Sequence, residues 1–241
     1  MPDKKMIMKR GAIPSPRHEL AAAMPHIALP SVPPNHLYFP AKISVWHNDY
    51  HGDCVTAEEA FAKACYNPEI FITDAEVKKW ATAHGVYEGA NLIDVLKAMQ
   101  KKGFAQDKHI YDDGAPNSVN WTDAATLHSA IYHGPVKIGI AADQLQAVCQ
   151  ANSYKNGWFA KGFKADKNED HCVSLCGYGT IKWLAQQMGF TIPAGVNGSK
   201  PGYALFMWGS IGIIDVPSML AITHEAWLRT PTTIILPGQQ K

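Results

Sequence analysis

The way hydrophobic periodicity changes along the chain constrains its fold more than any other feature of the sequence. After residue 44, apolar side chains recur at helical spacing, and the pattern changes to the alternation typical of strands near residue 135. Helices are predicted from Cys54 onward and over 73–85, 91–103, 121–134, 180–189 and 216–229; strands are predicted over 135–142, 171–179, 203–209 and 232–237. Helices first and strands second favour an α+β fold with two lobes.

The first 44 residues are predicted to form an N-terminal arm outside these lobes. Proline is frequent there and fixes extended or turn backbone, so that the arm has room for only one or two helical turns, in RHELAAAM. We expect the arm to wrap the surface, and a role as a cover over a cleft stays open. The domain is then 45–241, with a helical lobe over about 45–134 and a β-rich lobe over about 135–241.

Composition narrows the classes of partner. The formal charge of the 241 residues is +1 and 46% are apolar, so we expect a globular protein that binds neither nucleic acid nor a membrane surface. The longest apolar run, 204–214, is too short to span a bilayer. The basic N-terminus lacks a following apolar stretch, so no secretory signal is predicted, which favours a cytoplasmic location. Five cysteines, an odd number, favour a reducing compartment.

The stretch NDYHGDC, residues 48–54, places a cysteine directly before or within a predicted helix. If Asp53 is the N-cap, Cys54 lies in the first turn, whereas a capping box of Thr56 and Glu59 leaves it just outside. A thiol at a helix N-terminus is shifted toward thiolate, which is the nucleophilic form. Acyl transfer by a thiolate also needs a general acid/base, and His171, which opens a predicted strand after a polar loop, is the candidate.

Six segments in one order resemble the papain-like cysteine peptidases across residues 44–215. They read NDYHGDCVTAEEAFAKA, ITDAEVKKW, EGANLIDVL, GPVKIGIAADQLQ, DHCVSLCGYG and YALFMWG. A looser likeness connects the chain to little-characterised bacterial and phage papain-like proteins with a GND…GDC opening. The resemblance implies a papain-like fold with a cleft between a helical and a β-rich lobe. It also implies a peptide or protein substrate and no cofactor.

The resemblance also implies the catalytic residues. Cys54 matches the nucleophile and His171 the general acid/base. Asn48, six residues before the cysteine, matches the glutamine of the oxyanion hole and is one methylene shorter. The backbone N–H of Cys54 would be the second donor. The implied reaction is thiolate attack on a peptide or amide carbonyl, followed by hydrolysis of the acyl-enzyme.

Four further positions match residues around the substrate. Trp208 matches the tryptophan that shields the histidine, and Gly89 matches a glycine that substrate backbone approaches closely. Asp170 matches the position before the histidine, near the cleft. Gly139 matches one wall of the pocket beside the scissile residue.

Three positions depart from the family pattern. The third catalytic residue, an asparagine two before the tryptophan, is Phe206 here, which cannot accept the imidazole N–H. Val55 replaces the tryptophan after the nucleophile, and His51 replaces a disulfide cysteine. These departures predict slower catalysis or a reaction other than general proteolysis.

Three alternatives stay open at this point. An acyl or peptidyl transferase would use the same residues with an amine in place of water. An inactive binding module would keep the fold without the chemistry, for which Phe206 is the best support. A zinc site is the third, with the candidate ligand sets His47, His51 and Cys54, or His171, Cys172 and Cys176. The spacing of the first set fits no strong signature and shows no fourth ligand, and in a strand His171 points away from Cys172 and Cys176, so we predict no metal.

Overall fold

The computed structural model describes residues 8–229 and the backbone of 233–235. The helices of this part are α1 (Arg17–Ala22), α2 (Cys54–Ala64), α3 (Asp74–Ala83), α4 (Leu92–Lys101), α5 (Ala124–His133), α6 (Asp143–Ala151), α7 (Ile181–Met188) and α8 (Val216–Ile222). The predicted helices after Cys54 and over 73–85, 91–103, 121–134 and 180–189 are confirmed as α2, α3, α4, α5 and α7. The mixture of helices and strands confirms the α+β class.

Side-chain caps explain where most of these helices begin. In each case the side chain of the residue before the helix accepts a backbone N–H of the first turn, which would otherwise have no partner. The capping residues are Thr73 for α3, Asn91 for α4, Asp123 for α5, Thr180 for α7 and Asp215 for α8. The start of α2 differs, because Asp53 occupies the N-cap position without a side-chain bond to the helix.

The strands form one large sheet and two small ones. They are β1 (Ala12–Ile13), β2 (His36–Leu37), β3 (Ala90–Asn91), β4 (Phe104–Gln106), β5 (His109–Asp112), β6 (Asn117–Ser118), β7 (Val136–Ile140), β8 (Phe159–Ala160), β9 (His171–Thr180), β10 (Pro201–Met207), β11 (Ser210–Asp215), β12 (Thr223–Leu228) and β13 (Thr233–Ile235). The eight-stranded sheet has the order β6-β12-β7-β9-β10-β11-β8, and β2 pairs with β9 beside it. All four predicted strands are present, as β7, β9, β10 and β13.

The segment 216–229 corrects the prediction of one helix. It divides into the short helix α8 and the strand β12, which pairs antiparallel with β7. The β-branched Thr223 and the aromatic Trp227 suit a strand, and antiparallel pairing with β7 places the segment in the large sheet. The hairpin strand β11 and the helix α6 were not predicted.

Two hydrophobic cores lie on the two faces of the large sheet. One is formed by α2, α4 and α7 with side chains such as Phe206 and Ile213, and the other by α5 and α6 with side chains such as Ile138 and Leu205. The first core buries every residue of α2, including three charged ones. The helix α5 therefore packs with the sheet, and the lobe boundaries near 134 and 135 stay a prediction.

The N-terminal arm enters the molecule. Strand β1 pairs in parallel with β3 through Ala12 and Ala90, while the N–H of Ala12 donates to the carbonyl of Asp170, which precedes β9. The arm thus contacts both halves of the chain near the start of α2. We had expected it to wrap the surface. Over the described residues, no helix combines the length and the apolar character needed to cross a bilayer.

Candidate active site

Cys54 is the first residue of α2 and is 1% exposed. Burial raises the pKa of its thiol to about 12, although backbone N–H groups of Cys172 and Gly11 act in the opposite direction. In this conformation Cys54 is therefore a neutral thiol, and the thiolate expected from its helix position is not formed. Gly11 belongs to the arm, so the arm itself helps to shut the sulfur away from water.

His171 is the first residue of β9, opposite Ile140 of β7. Its ring stacks on Trp208 with centroids 4.5 Å apart and an interplanar angle of 29°. The ring is 1% exposed, and its buried Nδ1 has no hydrogen-bond partner in the described part of the chain. Burial, and then the positive charge of Arg10, lower the pKa of His171 to about 3, so the imidazole is neutral.

Phe206 lies in the core between α2 and the sheet. Its ring stacks on Phe61 with centroids 4.0 Å apart and an interplanar angle of 5°, and it meets Trp46 edge-on at 5.8 Å. It is therefore a packing residue that offers no acceptor to an imidazole. Strand pairing to β7 and the stacked Trp208 hold His171 in place.

Asn48 is buried beside the cleft, with its side-chain amide directed at backbone carbonyls. Its Nδ2 donates to the carbonyl of His51 at 3.1 Å and to that of Lys9, in the arm, at 3.3 Å. The indole Nε1 of Trp208 donates to the same Lys9 carbonyl at 3.1 Å. Two side-chain N–H groups thus converge on one peptide carbonyl.

Three glycines allow the arm backbone to lie against the cleft. A Cβ built on Gly11 would stand 1.7 Å from the carbonyl oxygen of Gly52, and one built on Gly89 would stand 3.2 Å from the Gly11 oxygen. Gly89 also has a φ of 142°, which side chains rarely adopt. The N–H of Ala90 donates to the Gly11 carbonyl at 2.9 Å. Gly89 thus lies where a peptide backbone approaches closely.

Asp170 holds a side chain of the arm. Its Oδ2 is 2.5 Å from Nη1 of Arg10, which is also 2.6 Å from Oδ1 of Asp143 in the first turn of α6. The Nη2 of Arg10 donates to Oε1 of Gln146. The other oxygen of Asp170 accepts the N–H of Ala142 at 3.0 Å. Asp170 therefore combines a structural bond with a contact to a peptide in the cleft.

Gly139 lies in β7, and two acidic side chains fill the space above it. A Cβ at this position would be 1.9 Å from Oε1 of Glu169 and 2.9 Å from Cγ of Glu225. Burial, and next the hydrogen bond to Glu225, raise the pKa of Glu169 to about 9. The N–H of Ser15 in the arm donates to Glu225 at 3.0 Å. Gly139 was expected to form one wall of a substrate pocket, and here it lies beneath the carboxyl groups of Glu169 and Glu225.

His51, one of the candidate zinc ligands, has other partners. Nδ1 of His51 is 2.5 Å from Oε1 of Glu88, and its ring stacks on Tyr87 at 4.1 Å. Within the parts of the chain that the structure describes, no three side chains of histidine, cysteine, aspartate or glutamate lie together as a metal site.

The structure brings most of the predicted residues around one segment of the arm. Asn48 and Trp208 contact Lys9, Asp170 contacts Arg10, and Cys54 and Gly89 lie against Gly11, while His171 stacks on Trp208. Sequence reasoning missed the acidic residues Asp143, Glu169 and Glu225 and the amide of Gln146, and it missed the arm residues that meet them. The two basic residues and the glycine of KRG, residues 9–11, were the sequence feature that could have indicated these arm contacts.

Comparison with known proteins gives structural matches alone. No protein-family model matches the chain, and no curated protein matches it by sequence. The cysteine protease Amb a 11 of ragweed pollen, in its proform, superposes with a TM-score of 0.62 at 10% identity, over 89% of this chain and 72% of that one.

Two further matches cover more of this chain. Xylellain, a cysteine protease from Xylella fastidiosa, has a TM-score of 0.61 at 12% identity, over 96% of this chain and 99% of its own. Procathepsin L 3 of the Tenebrio molitor larval midgut has a TM-score of 0.60 at 11% identity, over 93% and 83%. Agreement over nearly the whole chain shows that the protein has the papain-like fold of cysteine proteases.

Proposed function

We propose that this protein is a cysteine peptidase or amide hydrolase that forms an acyl-enzyme on Cys54. The observation that carries the proposal is the position of the Lys9 carbonyl, which accepts hydrogen bonds from Asn48 at 3.3 Å and from Trp208 at 3.1 Å. Two residues further along the same peptide, Gly11 contacts Cys54. The cleft thus holds an extended peptide, and one of its carbonyl oxygens is bound by the side-chain amide of Asn48. The same amide would bind the oxyanion.

Departure of the arm is the first step of the proposed mechanism. Water then reaches Cys54 and His171, and the burial that raises the thiol pKa and lowers the imidazole pKa is relieved. The thiol proton passes to the imidazole, giving a thiolate and an imidazolium. Trp208 keeps the imidazole stacked in place during this transfer.

The chemical steps then follow in two halves. The thiolate attacks the carbonyl carbon, and the resulting oxyanion accepts hydrogen bonds from Nδ2 of Asn48 and the backbone N–H of Cys54. His171 gives its proton to the leaving amine as the C–N bond breaks, which leaves a thioester. A water molecule, deprotonated by His171, attacks the thioester, and the acid product and the Cys54 thiol are released.

Hydrolysis of internally quenched peptides tests the proposal. We expect the full-length chain to cleave such peptides at a low rate, and Cys54→Ala and His171→Ala to abolish cleavage. Mass spectrometry of products formed with an added amine separates hydrolysis from transfer, because a transferase would give the amide of that amine. Cleavage that persists in Cys54→Ala contradicts the proposal.

The inactive binding module stays a second candidate, and two observations favour it. Phe206 is committed to the core with Phe61, and Nδ1 of His171 has no partner in the described chain. If a chain whose arm has been displaced shows an accessible Cys54 but cleaves no peptide, the binding module is the better description.

A further inference from the structure

The guanidinium of Arg10 occupies a pocket of three acceptor side chains, which we call the arginine pocket: Asp143, Gln146 and Asp170. Two carboxylates and one amide oxygen face the planar guanidinium; the Arg10 side chain is 23% exposed and that of Asp143 is 69% exposed. Short, charge-assisted hydrogen bonds of this kind are stronger than those between neutral groups, and their geometry favours arginine over lysine.

The three acceptor side chains are held by parts of the fold outside the arm. The second carboxylate oxygen of Asp170 accepts the N–H of Ala142 at 3.0 Å, just before α6 begins, and this bond fixes the carboxylate. Asp143 and Gln146 lie three residues apart on α6, so both side chains point to the same side of the helix. Without a cation, two neighbouring carboxylates would face each other unneutralised.

The pocket lies one residue from the proposed chemistry. Arg10 sits between Lys9, whose carbonyl is bound by Asn48 and Trp208, and Gly11, which contacts Cys54. Asp170 immediately precedes His171, and the Arg10 charge in the pocket lowers the pKa of His171, so the pocket lies near the imidazole.

The amine that leaves must lie beside the imidazole that protonates it. We therefore propose that the arginine pocket is a substrate subsite that selects peptides with arginine directly after the scissile bond. This inference rests on the proposed hydrolase function and adds a substrate class to it. Arg10 of the arm fills the subsite until the arm leaves.

Peptide cleavage by the full-length Arg10→Ala chain tests the substrate role, because this variant vacates the pocket. Three matched peptides carry arginine, its neutral isostere citrulline, or glutamate after the scissile bond. We expect kcat/KM to be about tenfold higher for arginine than for citrulline, with glutamate lowest. When Asp143→Asn is added, the kcat/KM values of the arginine and citrulline peptides should differ by no more than about twofold. Adding Asp107→Asn, which removes an exposed acid at a distant turn, should leave the preference unchanged.

A second measurement reports on the pocket without any peptidase activity. The rate of Cys54 alkylation by iodoacetamide is compared in Arg10→Ala, in Asp143→Asn and in the double variant. If Arg10 holds the arm through Asp143, each single change speeds alkylation and the double change adds little. If the rate increases of the two single variants multiply in the double variant, Asp143 does not act through Arg10, and the assignment of this pocket to arginine is overturned.

The two measurements separate the failure of this inference from the failure of the proposed function. Equal cleavage of the arginine and citrulline peptides overturns the subsite and leaves the hydrolase intact. Cleavage of no peptide overturns the hydrolase and the substrate role together, while the alkylation cycle still decides whether Asp143 holds Arg10.

Discussion

Glu169 and Glu225 bring two carboxyl groups together beside the cleft, in a space that exists because residue 139 is glycine. Both oxygens of Glu225 have donors, namely the N–H of Ser15 at 3.0 Å and Nε1 of Trp227 at 2.5 Å. Oε1 of Glu169 has no donor among the described residues. Burial, and next the hydrogen bond to Glu225, therefore favour a Glu169 that keeps its proton.

This arrangement predicts how stability depends on pH. The folded chain raises the pKa of Glu169 from 4.5 to about 9, so folding takes up a proton between these values and stability falls as pH rises through them. Glu169→Gln removes this loss and keeps an N–H toward Glu225. We expect the variant to be more stable than the parent by about 2 kcal/mol at pH 8 and equal at pH 4 in urea unfolding.

Asp107→Asn is the control, since it removes an exposed acid far from the pair. It should leave the pH dependence as it is in the parent chain. A Glu169→Gln variant that gains no stability at pH 8 would mean that the two carboxyl groups do not share a proton.

Whole elements are held together by buried charge as well as by apolar packing. Glu59 of α2 accepts hydrogen bonds from Lys137 of β7 and from Arg229, the latter at 2.8 Å, while Lys63 pairs with Asp113. Glu59 and Lys63, four residues apart on α2, therefore each pair with groups outside the helix. A spacing of four residues favours a pair between the two on an exposed helix, but burial of all of α2 gave both groups stronger partners elsewhere.

Removing one member of this cluster should be costly. Glu59→Gln leaves Lys137 and Arg229 as buried cations with reduced compensation, and we expect the free energy of unfolding to fall by about 3–5 kcal/mol. Lys79→Ala, which breaks an exposed pair with Glu76, should change it by less than about 1 kcal/mol. A loss below about 1 kcal/mol for Glu59→Gln in urea unfolding would show that the cluster contributes no net stability.

At the scale of the whole molecule, the arm joins the two halves of the chain and closes the cleft. Its backbone lies against Gly52 and Gly89, its N–H groups reach Asn48 and Asp170, and Arg10 fills the arginine pocket. The neutral states of Cys54 and His171 follow from this closure. In the described conformation the arm therefore occupies the candidate site.

A single methyl group in the arm should open the cleft. The Cβ of Gly11→Ala would stand 1.7 Å from the Gly52 carbonyl oxygen, so the arm cannot keep its position. With Cys54 exposed, its pKa falls from about 12, and we expect iodoacetamide to alkylate it at least about tenfold faster at pH 7. Mass spectrometry locates the modified cysteine.

Gly134→Ala is the matched control, because its Cβ would meet only Cδ1 of Leu228, at 3.8 Å. It should react like the parent chain. The buried Cys149 and Cys172 should stay unmodified in both variants, which separates arm release from general unfolding. An unchanged rate in Gly11→Ala would show that the arm does not control access to Cys54.

Periodicity and capping determined the elements, because they act between residues a few positions apart. The helix after Cys54, the strand that His171 opens and the α+β class all follow from such patterns, and the ordered motifs indicated the papain-like fold. Tertiary structure alone decided the path of the arm, the partners of Glu59 and the occupant of the arginine pocket. These depend on which distant groups meet in a buried space, where desolvation and backbone clearance outweigh local preference.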